Sequence, residues 1–314
     1  MRILEDVVVA LFTYCQENYI EDAIASIYNQ TVFPKKLIII DDNSSDNTRG
    51  MIEKVLKYKP KELEVDVRFS SVNRRLIGQI NTLKGEFDDV LIIFQAGDDI
   101  ARPNRVENVY NHWVSRGKPH IIHSSYTDID KNKNSLETHL MSLSKQRTLN
   151  NIIERKIILG GCTQVFSSDI LNKFPPIDTS AFAEDRILIF RGILLGKVST
   201  INEVLLDYRV SVGMSYTVRN SNEEILESER GYLIKELGEI KQNISDAKCF
   251  NNKKVIYLLK LRESYINFVL RKIIDSDFSR KNILSFFIGL VGNVNIRYYS
   301  PIFRRRKKFN NLKF

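Results

Sequence analysis

The stretch V-L-I-I-F-Q-A-G-D-D-I, residues Val90–Ile100, decides how the rest of the chain is interpreted. Its first five residues, Val90–Phe94, form a short apolar run that is rich in β-branched side chains. Such a run is typical of a strand buried on both faces, as in a parallel sheet. Gly97 ends the run, and the adjacent carboxylates Asp98 and Asp99 follow it. A buried strand that delivers two acids to its carboxyl end predicts a ligand site at the edge of an open α/β sheet.

Two neighbouring carboxylates repel each other, so the pair Asp98–Asp99 favours a nearby cation. A divalent ion such as Mg²⁺ or Mn²⁺, bridging to a diphosphate, would balance both charges. The same pair is also typical of a solvated turn, and in isolation that simpler interpretation is the favoured one. The pattern in the rest of the chain therefore has to decide between the two.

A second strand ends in the same way. Leu37–Ile40 is a buried apolar run, and Asp41 and Asp42 follow it directly. The carboxyl ends of parallel strands meet at one edge of a sheet, so four acids are expected to approach one crevice. Four carboxylates are stable together only if some bind a metal and others accept hydrogen bonds from a ligand. A nucleoside diphosphate with a divalent metal satisfies both needs.

The first two thirds of the chain alternate between strand and helix patterns. Thr127–Lys145 interrupts this alternation with a polar, unpatterned stretch, and we interpret it as a loop that folds over a ligand. The alternation predicts an α/β fold with a mostly parallel sheet flanked by helices. The further elements of the pattern are strands at Val7–Phe12, Glu64–Phe69, His120–Ser124 and Asn202–Tyr208, and helices at Tyr19–Gln30, Asn104–Arg116 and Glu184–Leu195.

The pattern changes after about Asn220. Two long helical stretches follow, Glu223–Asn243 and Lys253–Asp275, with no strand pattern between them. We therefore predict a first domain over residues 1–219 and a C-terminal helical, basic region over residues 220–314.

Composition excludes several classes of protein. With 43% hydrophobic and 27% charged residues among 314, the chain has an ordinary globular composition. The three cysteines, Cys15, Cys162 and Cys249, form no disulfide framework and no zinc pattern, which fits a reducing cytosol. We find no signal-peptide pattern and no apolar run of membrane-spanning length, so a cytoplasmic protein is expected.

The net charge of +9 is concentrated at one end. Ser276–Phe314 holds nine Lys and Arg against one acid, Asp277, so the rest of the chain is nearly neutral. Apolar and aromatic residues accompany this basic cluster, a combination that favours an anionic membrane surface. A basic tail without a target ranks second. Nucleic acid ranks third, since no recognised nucleic-acid motif is present, and we predict no nucleic-acid partner.

Six motifs, in this order along the chain, resemble those of the inverting glycosyltransferases of family 2. The resemblance covers about Val7–Ser215 and implies a GT-A (Rossmann-like) fold. The motifs are V-V-V-A-L-F-T-Y-C-Q-E-N-Y-I from Val7, A-S-I-Y-N-Q-T over Ala25–Thr31, I-I-I-D-D-N-S-S-D-N-T over Ile38–Thr48, G-D-D-I over Gly97–Ile100, A-E-D-R-I-L over Ala183–Leu188 and L-L-D-Y-R-V over Leu205–Val210.

The resemblance implies roles for the acids at the sheet edge. Thr13 and Asp41 would lie beside the base of the nucleotide, with Asp41 accepting its N–H. Asp98 would face the ribose and the donor sugar, and Asp99 would hold Mn²⁺ or Mg²⁺ on the diphosphate. By the same resemblance, Gly160–Gly161 lines the acceptor side.

The resemblance also implies a general base, Asp185, with Glu184 beside it. Taken alone, two acids at this point are more typical of a helix N-terminus, where negative charge is stabilised. Arg75 departs from the family pattern, since a glycine is common there, and its charge, or that of Arg74, would contact phosphate instead. Gln95 departs from the family pattern, since many relatives have an acid there, and metal binding would then depend on Asp99 alone.

These roles imply the transfer of one sugar, hexosyl or N-acetylhexosaminyl, from a nucleotide donor with UDP favoured. The acceptor would be a hydroxyl of a growing glycan, in an undecaprenyl-linked or similar lipid-linked form. Assembly of O-antigen or capsule at the inner face of the bacterial inner membrane is the expected setting, with the protein bound peripherally. The alternatives are a nucleotidyltransferase acting on a sugar phosphate, or a catalytically inactive, membrane-associated protein that binds nucleotide sugars.

Overall fold

The computed structural model describes residues 1–141, 148–153, 160–210, 212 and 222–274. These residues fall into two compact units. The first lies within Met1–Arg147, Ile157–Thr179 and Glu184–Tyr216, and the second within Thr148–Lys156, Ser180–Ala183 and Thr217–Phe314. The predicted division of the chain at residue 219 stays a prediction.

The described part of the first unit is built on a nine-stranded sheet. The strand order is β3-β2-β1-β4-β8-β6-β9-β5, and β7 pairs with β6 outside this path. The strands are β1 Ile3–Thr13, β2 Phe33–Asp41, β3 Glu64–Phe69, β4 Leu91–Ala96, β5 Ile100–Ala101, β6 Ile121–Ile129, β7 Ser135–His139, β8 Val165–Ser167 and β9 Val198–Arg209.

One half of the sheet is entirely parallel: β1 pairs with β2 and β4, and β2 pairs with β3. The other half is mixed, because β8 runs antiparallel to both β4 and β6 while β6 and β9 are parallel. Helices flank the sheet, and the predicted α/β class is confirmed. In the first unit these are α1 Ile20–Tyr28, α2 Thr48–Leu56, α3 Arg75–Thr82, α4 Arg105–Ser115, α6 Asp169–Asn172 and α7 Glu184–Leu194.

The central strands are buried on both faces, as their apolar sequences predict. Val7–Leu11 in β1 and Leu91–Ile93 in β4 are completely inaccessible to solvent. Helices α1 and α4 contribute side chains such as Ile24 and Trp113 to the same core. Burial of this apolar surface from both sides holds the strands in register, and so fixes where their carboxyl ends lie.

We interpreted Thr127–Lys145 as a loop, and this was wrong for its first part, which forms two strands. Thr127–Ile129 complete β6, and Ser135–His139 form β7, which pairs antiparallel with β6. Strand β9 stabilises this segment by pairing along it, for example Ile129 with Arg209. Pairing with a distant strand overrides a weak local pattern, because strand formation depends strongly on its neighbours.

The described residues of the second unit are helical. They form α5 Leu149–Ile153, α8 Asn222–Cys249 and α9 Lys253–Ile274. A partly buried ion pair, Arg262 Nη2 to Glu236 Oε1 at 2.7 Å, joins α8 to α9. Within the described ranges, no helix has both the length and the apolar character needed to cross a membrane. The basic tail lies outside the described residues.

Candidate active site

The carboxyl ends of β1, β2 and β4 meet at one edge of the sheet. Thr13, the last residue of β1, pairs with Asp41, and Phe12 pairs with Ala96. Beyond the strands the backbone stays connected, since Gly97 N donates to Phe12 O at 2.9 Å. The edge therefore brings together the two acid pairs that the sequence places at strand ends.

Gly97 allows the β4 loop to lie directly against the turn after β1. A Cβ at this position would lie 2.5 Å from Gln16 Oε1 and 2.7 Å from Thr13 Oγ1. These two side chains are themselves bonded, Thr13 Oγ1 donating to Gln16 Oε1 at 2.9 Å. A larger residue at position 97 would force the acid pair away from β1.

Asp41 is fully buried, and hydrogen-bond donors of its own chain hold its carboxylate. Arg49 Nε donates to Oδ2 at 2.8 Å, and the backbone N–H of Ser44 donates to the same oxygen at 3.2 Å. The Ser44 hydroxyl donates to Oδ1. Arg49 also donates to Ser70 O at 2.7 Å. Sequence reasoning missed Arg49. Its place at the start of α2, directly after the motif Ile38–Thr48, could have marked it as a partner of Asp41.

Asp42, beside it, anchors the loop that carries the two candidate phosphate-binding arginines. Its Oδ1 accepts the backbone N–H of Arg74 at 2.7 Å and a hydrogen bond from the Gln79 side-chain amide. Arg74 and Arg75 are exposed at the start of α3. The structure thus anchors the backbone of Arg74, directly before α3, to an acid of the sheet edge.

The Asp98–Asp99 pair lies in a different environment. Asp99 is fully buried, and only its Oδ1 accepts a hydrogen bond, from the backbone N–H of Arg209 at 3.0 Å. Its Oδ2 is buried with no hydrogen-bond partner. Burial and the charge of Asp98 raise the pKa of Asp99 well above its usual range. Burial likewise raises the pKa of Asp98, which is only 8% exposed.

The residues at this position fit a divalent cation. An orphaned carboxylate oxygen next to a second acid is a ready pair of hard oxygen ligands. The part of the chain that the structure describes contains no group of three or more His, Cys, Asp or Glu able to hold a metal. A cation bound by Asp99 would therefore take its other ligands from water or from the substrate.

Gln95 has a structural role at this site. Its Oε1 accepts from Arg105 Nη1 at 2.5 Å, and its Nε2 donates to the backbone oxygen of Asp99 at 2.9 Å. Both polar ends of this buried side chain are thus used to hold the loop that carries the acids.

Arg209 is a second residue that sequence reasoning missed. It is almost completely buried, and its guanidinium donates to Asp98 O at 2.9 Å and to Lys131 O at 2.9 Å. It also reaches Asp22 Oδ2 at 3.3 Å and lies over the ring of Tyr19. A buried arginine needs such partners. Its place in the motif at the end of β9 could have marked it as a site residue, but its partners are far away in the sequence.

Glu184 and Asp185 lie in the first turn of α7, and both are partly buried. Asp185 Oδ1 accepts the backbone N–H of Arg186 at 2.8 Å. Burial and the charge of Asp185 raise the pKa of Glu184 to about 8. Glu184 therefore holds its proton more tightly than an exposed carboxyl group does, next to the candidate base Asp185.

A short 3₁₀ turn, Gly161–Thr163, lies between the two groups of acids. Its first residue contacts Asp185, whose Oδ2 lies 3.1 Å from an ideal Cβ built on Gly161. At the next residue, burial and the charge of Asp99 raise the pKa of the Cys162 thiol well above its usual range. One short turn thus contacts the candidate base Asp185 and lies within the electrostatic influence of the candidate metal ligand Asp99.

Aromatic residues of β6, β7 and β9 lie close to the same acids. The ring of Tyr126 stacks on His139 with centroids 4.7 Å apart and meets the edge of Tyr208 at 6.0 Å. His139 Nε2 lies 2.9 Å from Asp128 Oδ2. Burial and the charge of Asp99 raise the pKa of Tyr208. We did not anticipate this cluster, since half of it lies in the stretch interpreted as a loop.

Comparisons with known proteins agree with this architecture. Residues 6–174, more than half of the chain, match the family model Glycosyl transferase family 2. An uncharacterized glycosyltransferase of Nostoc sp. is 22% identical over 64% of this chain and 64% of its own length. One of Haemophilus influenzae is 30% identical over 32% of this chain and 30% of its own length. The chain thus spans less than two thirds of these curated relatives.

Solved structures show the same fold. S. aureus TarS 1–349 in complex with UDP-GlcNAc superposes with a TM-score of 0.54 at 18% identity, covering 86% of this chain and 82% of that one. The mannosyltransferase PcManGT from Pyrobaculum calidifontis, in complex with GDP-Man and Mn²⁺, has a TM-score of 0.52 at 14% identity, over 96% and 83%. The fold is of the GT-A type that the resemblance implied, and the chain belongs to glycosyl transferase family 2.

Proposed function

We propose that this protein transfers a sugar from a nucleotide-sugar donor to an acceptor hydroxyl with inversion at the anomeric carbon. The observation that carries the proposal is the arrangement around the turn Gly161–Thr163. The turn contacts a partly buried carboxylate, Asp185, and its Cys162 is close enough to feel the charge of Asp99, whose second carboxylate oxygen has no hydrogen-bond partner. A single displacement needs both a site for the diphosphate and a base for the acceptor.

Asp185 is the proposed general base. Its carboxylate takes the proton of the acceptor hydroxyl as that oxygen bonds to the anomeric carbon. The bond from this carbon to the diphosphate breaks, and its electron pair leaves with the diphosphate. Glu184, with its pKa raised to about 8, stays mainly protonated at neutral pH and adds little competing charge.

The sheet edge holds the donor in this proposal. Asp41, fixed by Arg49 and Ser44, presents a carboxylate beside the base of the nucleotide, and Thr13 lies next to it on β1. Asp98 faces the ribose and the sugar. The exposed Arg74 and Arg75 approach the phosphates, to which guanidinium groups bind well.

Asp99, with Asp98 beside it, would hold Mn²⁺ or Mg²⁺ through its orphaned oxygen. The cation supplies positive charge that stabilises the leaving diphosphate. The Mn²⁺ bound in the complex of PcManGT supports this assignment. Arg209 keeps the acid loop in place by its hydrogen bond to the backbone of Asp98.

The donor class follows from the family and from the neighbours. TarS binds UDP-GlcNAc and PcManGT binds GDP-Man, so we propose a UDP-sugar first and a GDP-sugar second. The transferred group would be a hexosyl or N-acetylhexosaminyl unit.

For the acceptor we propose a lipid-linked cell-surface glycan, such as an undecaprenyl-linked precursor of O-antigen or capsule. The protein would bind peripherally to the inner face of the bacterial inner membrane through its basic tail. The surplus of eight positive charges in Ser276–Phe314 supports this proposal. Replacing Arg304, Arg305, Arg306, Lys307 and Lys308 by Gln in the full chain is expected to abolish sedimentation with anionic vesicles. Unchanged sedimentation would contradict it.

A donor screen tests the enzyme proposal. Calorimetry with Mn²⁺ would compare UDP-GlcNAc, GDP-mannose and nucleoside triphosphates, for the wild-type chain and for Asp185→Ala. We expect metal-dependent binding of one nucleotide sugar, retained in Asp185→Ala, whose turnover is nevertheless lost. Binding of triphosphates alone would favour a nucleotidyltransferase. Binding without turnover in the wild-type chain would favour an inactive nucleotide-sugar-binding protein.

A further inference from the structure

Gly161 packs its backbone against the side chain of Asp185. An ideal Cβ at this position would lie 3.1 Å from Asp185 Oδ2, 3.2 Å from its Cβ and 3.5 Å from its Cγ. The first two distances are shorter than ordinary van der Waals contact, so a methyl group would displace its neighbour. The backbone of Gly161 does not adopt the left-handed conformation that favours glycine. A glycine is therefore suited to this position because it has no side chain, and not because of its conformational freedom.

The turn itself is held too firmly to move aside. Thr163 N donates to Gly160 O at 2.9 Å, and Gln164 N donates to Gly161 O at 3.1 Å. The side chain of Gln164 then donates from Nε2 to the backbone oxygen of Asp185 at 3.3 Å, which joins the turn to the start of α7. A methyl group on Gly161 would therefore move the carboxylate group rather than the turn.

The same turn is also close to the donor side of the site. Cys162 follows Gly161 directly, and the charge of Asp99 influences its thiol. The turn packs against β4, β6 and β9, the strands that surround the acid pair. The turn that contacts Asp185 is therefore packed against the strands that carry the donor side of the site.

We infer that Gly161 is a positioning residue, whose bare backbone sets where the carboxylate of Asp185 meets the acceptor hydroxyl. The inference rests on the proposed function, in which Asp185 is the base. A proton acceptor displaced by a few tenths of an ångström is out of line with the attacking oxygen. Since a misplacement of about 1 Å costs on the order of 10²-fold in rate, we expect Gly161→Ala to lower turnover roughly tenfold.

The experiment compares Gly161→Ala with Gly231→Ala in the full chain. Gly231 lies in α8, and nothing lies within 4 Å of an ideal Cβ at that position, so its variant is a matched control. Turnover would be measured as release of nucleoside diphosphate from UDP-GlcNAc or GDP-mannose, with water as acceptor. Donor affinity would be measured by calorimetry. Gly161→Ala is expected to lower turnover and leave donor affinity within twofold, whereas Gly231→Ala changes neither.

A double-mutant cycle shows whether Gly161 acts through Asp185. The cycle is followed by the loss of Tm that Gly161→Ala causes in each background, because Asp185→Ala abolishes the turnover in which a further loss would be measured. An equal loss in both backgrounds would overturn the inference, as would wild-type turnover of Gly161→Ala. Wild-type protein that hydrolyses neither donor would instead remove the proposed function, and the inference with it.

Thermal unfolding provides a readout that needs no activity. Gly161→Ala is expected to lower the Tm by roughly 2 °C, because the methyl group crowds the carboxylate. Adding Asp185→Ala to the same chain removes Oδ2 and Cγ and keeps Cβ, so it is expected to recover most of this loss but not all of it. If Gly161→Ala lowers the Tm equally with and without the Asp185 side chain, the contact does not exist and the inference falls.

Discussion

Two identical dipeptides, Asp41–Asp42 and Asp98–Asp99, lie at the carboxyl ends of β2 and β4, the parallel strands on either side of β1, yet their surroundings are opposite. In the first pair, Arg49 and Ser44 donate hydrogen bonds to the carboxylate of Asp41, and the backbone N–H of Arg74 donates to that of Asp42. In the second pair, Asp99 receives one backbone N–H, and its other oxygen has no partner. Both oxygens of Asp41 therefore accept hydrogen bonds from the folded chain, whereas one oxygen of Asp99 accepts none.

The difference shows that the same sequence pattern at the same sheet edge serves two purposes. A carboxylate with internal partners is a rigid, oriented acceptor, which suits recognition of a nucleotide base. A buried carboxylate with an orphaned oxygen is costly for the folded chain unless it binds a cation. Stability and ligand binding should therefore respond in opposite ways when the two pairs are changed.

The largest expected effect is that of Asp99→Asn on function. The substitution keeps the shape and removes the charge, so metal-dependent donor binding should be lost and turnover should fall on the order of 10²–10³-fold. The stability of the metal-free protein should not fall, since the change removes a buried charge that repels Asp98. Calorimetry with and without Mn²⁺ and thermal unfolding would measure both effects. A lowered Tm with normal donor binding would reverse the assignment.

The second effect is that of Asp41→Asn on stability. The Asn side chain cannot accept all the hydrogen bonds that Arg49 and Ser44 donate to the carboxylate, so we expect a loss of about 1–2 kcal/mol in the free energy of unfolding. Chemical denaturation would measure it, with Asp99→Asn as the paired control. Should both variants lose equal stability, the two acid pairs are not different in the way the structure indicates.

A third acid pair, Glu184–Asp185, extends the comparison to pH. The pKa of Glu184 is about 8 in the folded state, above its ordinary value of 4.5. The folded state therefore binds this proton more tightly than the unfolded state does. This contribution to stability is present below pH 4.5 and is lost as the pH rises to about 8. The free energy of unfolding should therefore fall over this range.

The variant Glu184→Gln has no proton to lose at this position, so its unfolding free energy should fall less steeply between these pH values. Denaturant titrations at several pH values would compare it with the wild-type chain. Identical slopes for the two proteins would show that Glu184 titrates normally in the folded state.

The parts of the fold that sequence predicted are those with strong local signals. The apolar strands β1, β2 and β4, and the acids at their ends, follow from burial on both faces and from the geometry of parallel pairing. The start of β6 was predicted at His120–Ser124, but its extension to Ile129 and the strand β7 were not. The polar residues of the extension form a strand through pairing with β9, about 80 residues further along the chain, and β7 forms through pairing with β6.

The candidate site likewise has a part that the sequence predicted and a part that it did not. The acids were found from their positions in the motifs, but their partners were not. Arg209 reaches Asp22 across 187 residues of sequence, and Gly161 contacts Asp185 from another element. Hydrogen-bond partners and close contacts of this kind are properties of the folded chain, and no local pattern marks them.

The smallest effect, that of Ser44→Ala, would sharpen the description of the first acid pair. The Ser44 hydroxyl donates to Asp41 and accepts from the backbone N–H of Cys15 at 2.8 Å, so it links the turn after β1 to the carboxylate. Losing both bonds should lower the free energy of unfolding by about 1 kcal/mol. Ser45→Ala is the matched control, because the exposed Ser45 hydroxyl makes only a 3.6 Å contact with the Cys15 sulfur. Equal stability of the two variants would show that Asp41 is held by Arg49 without help from Ser44.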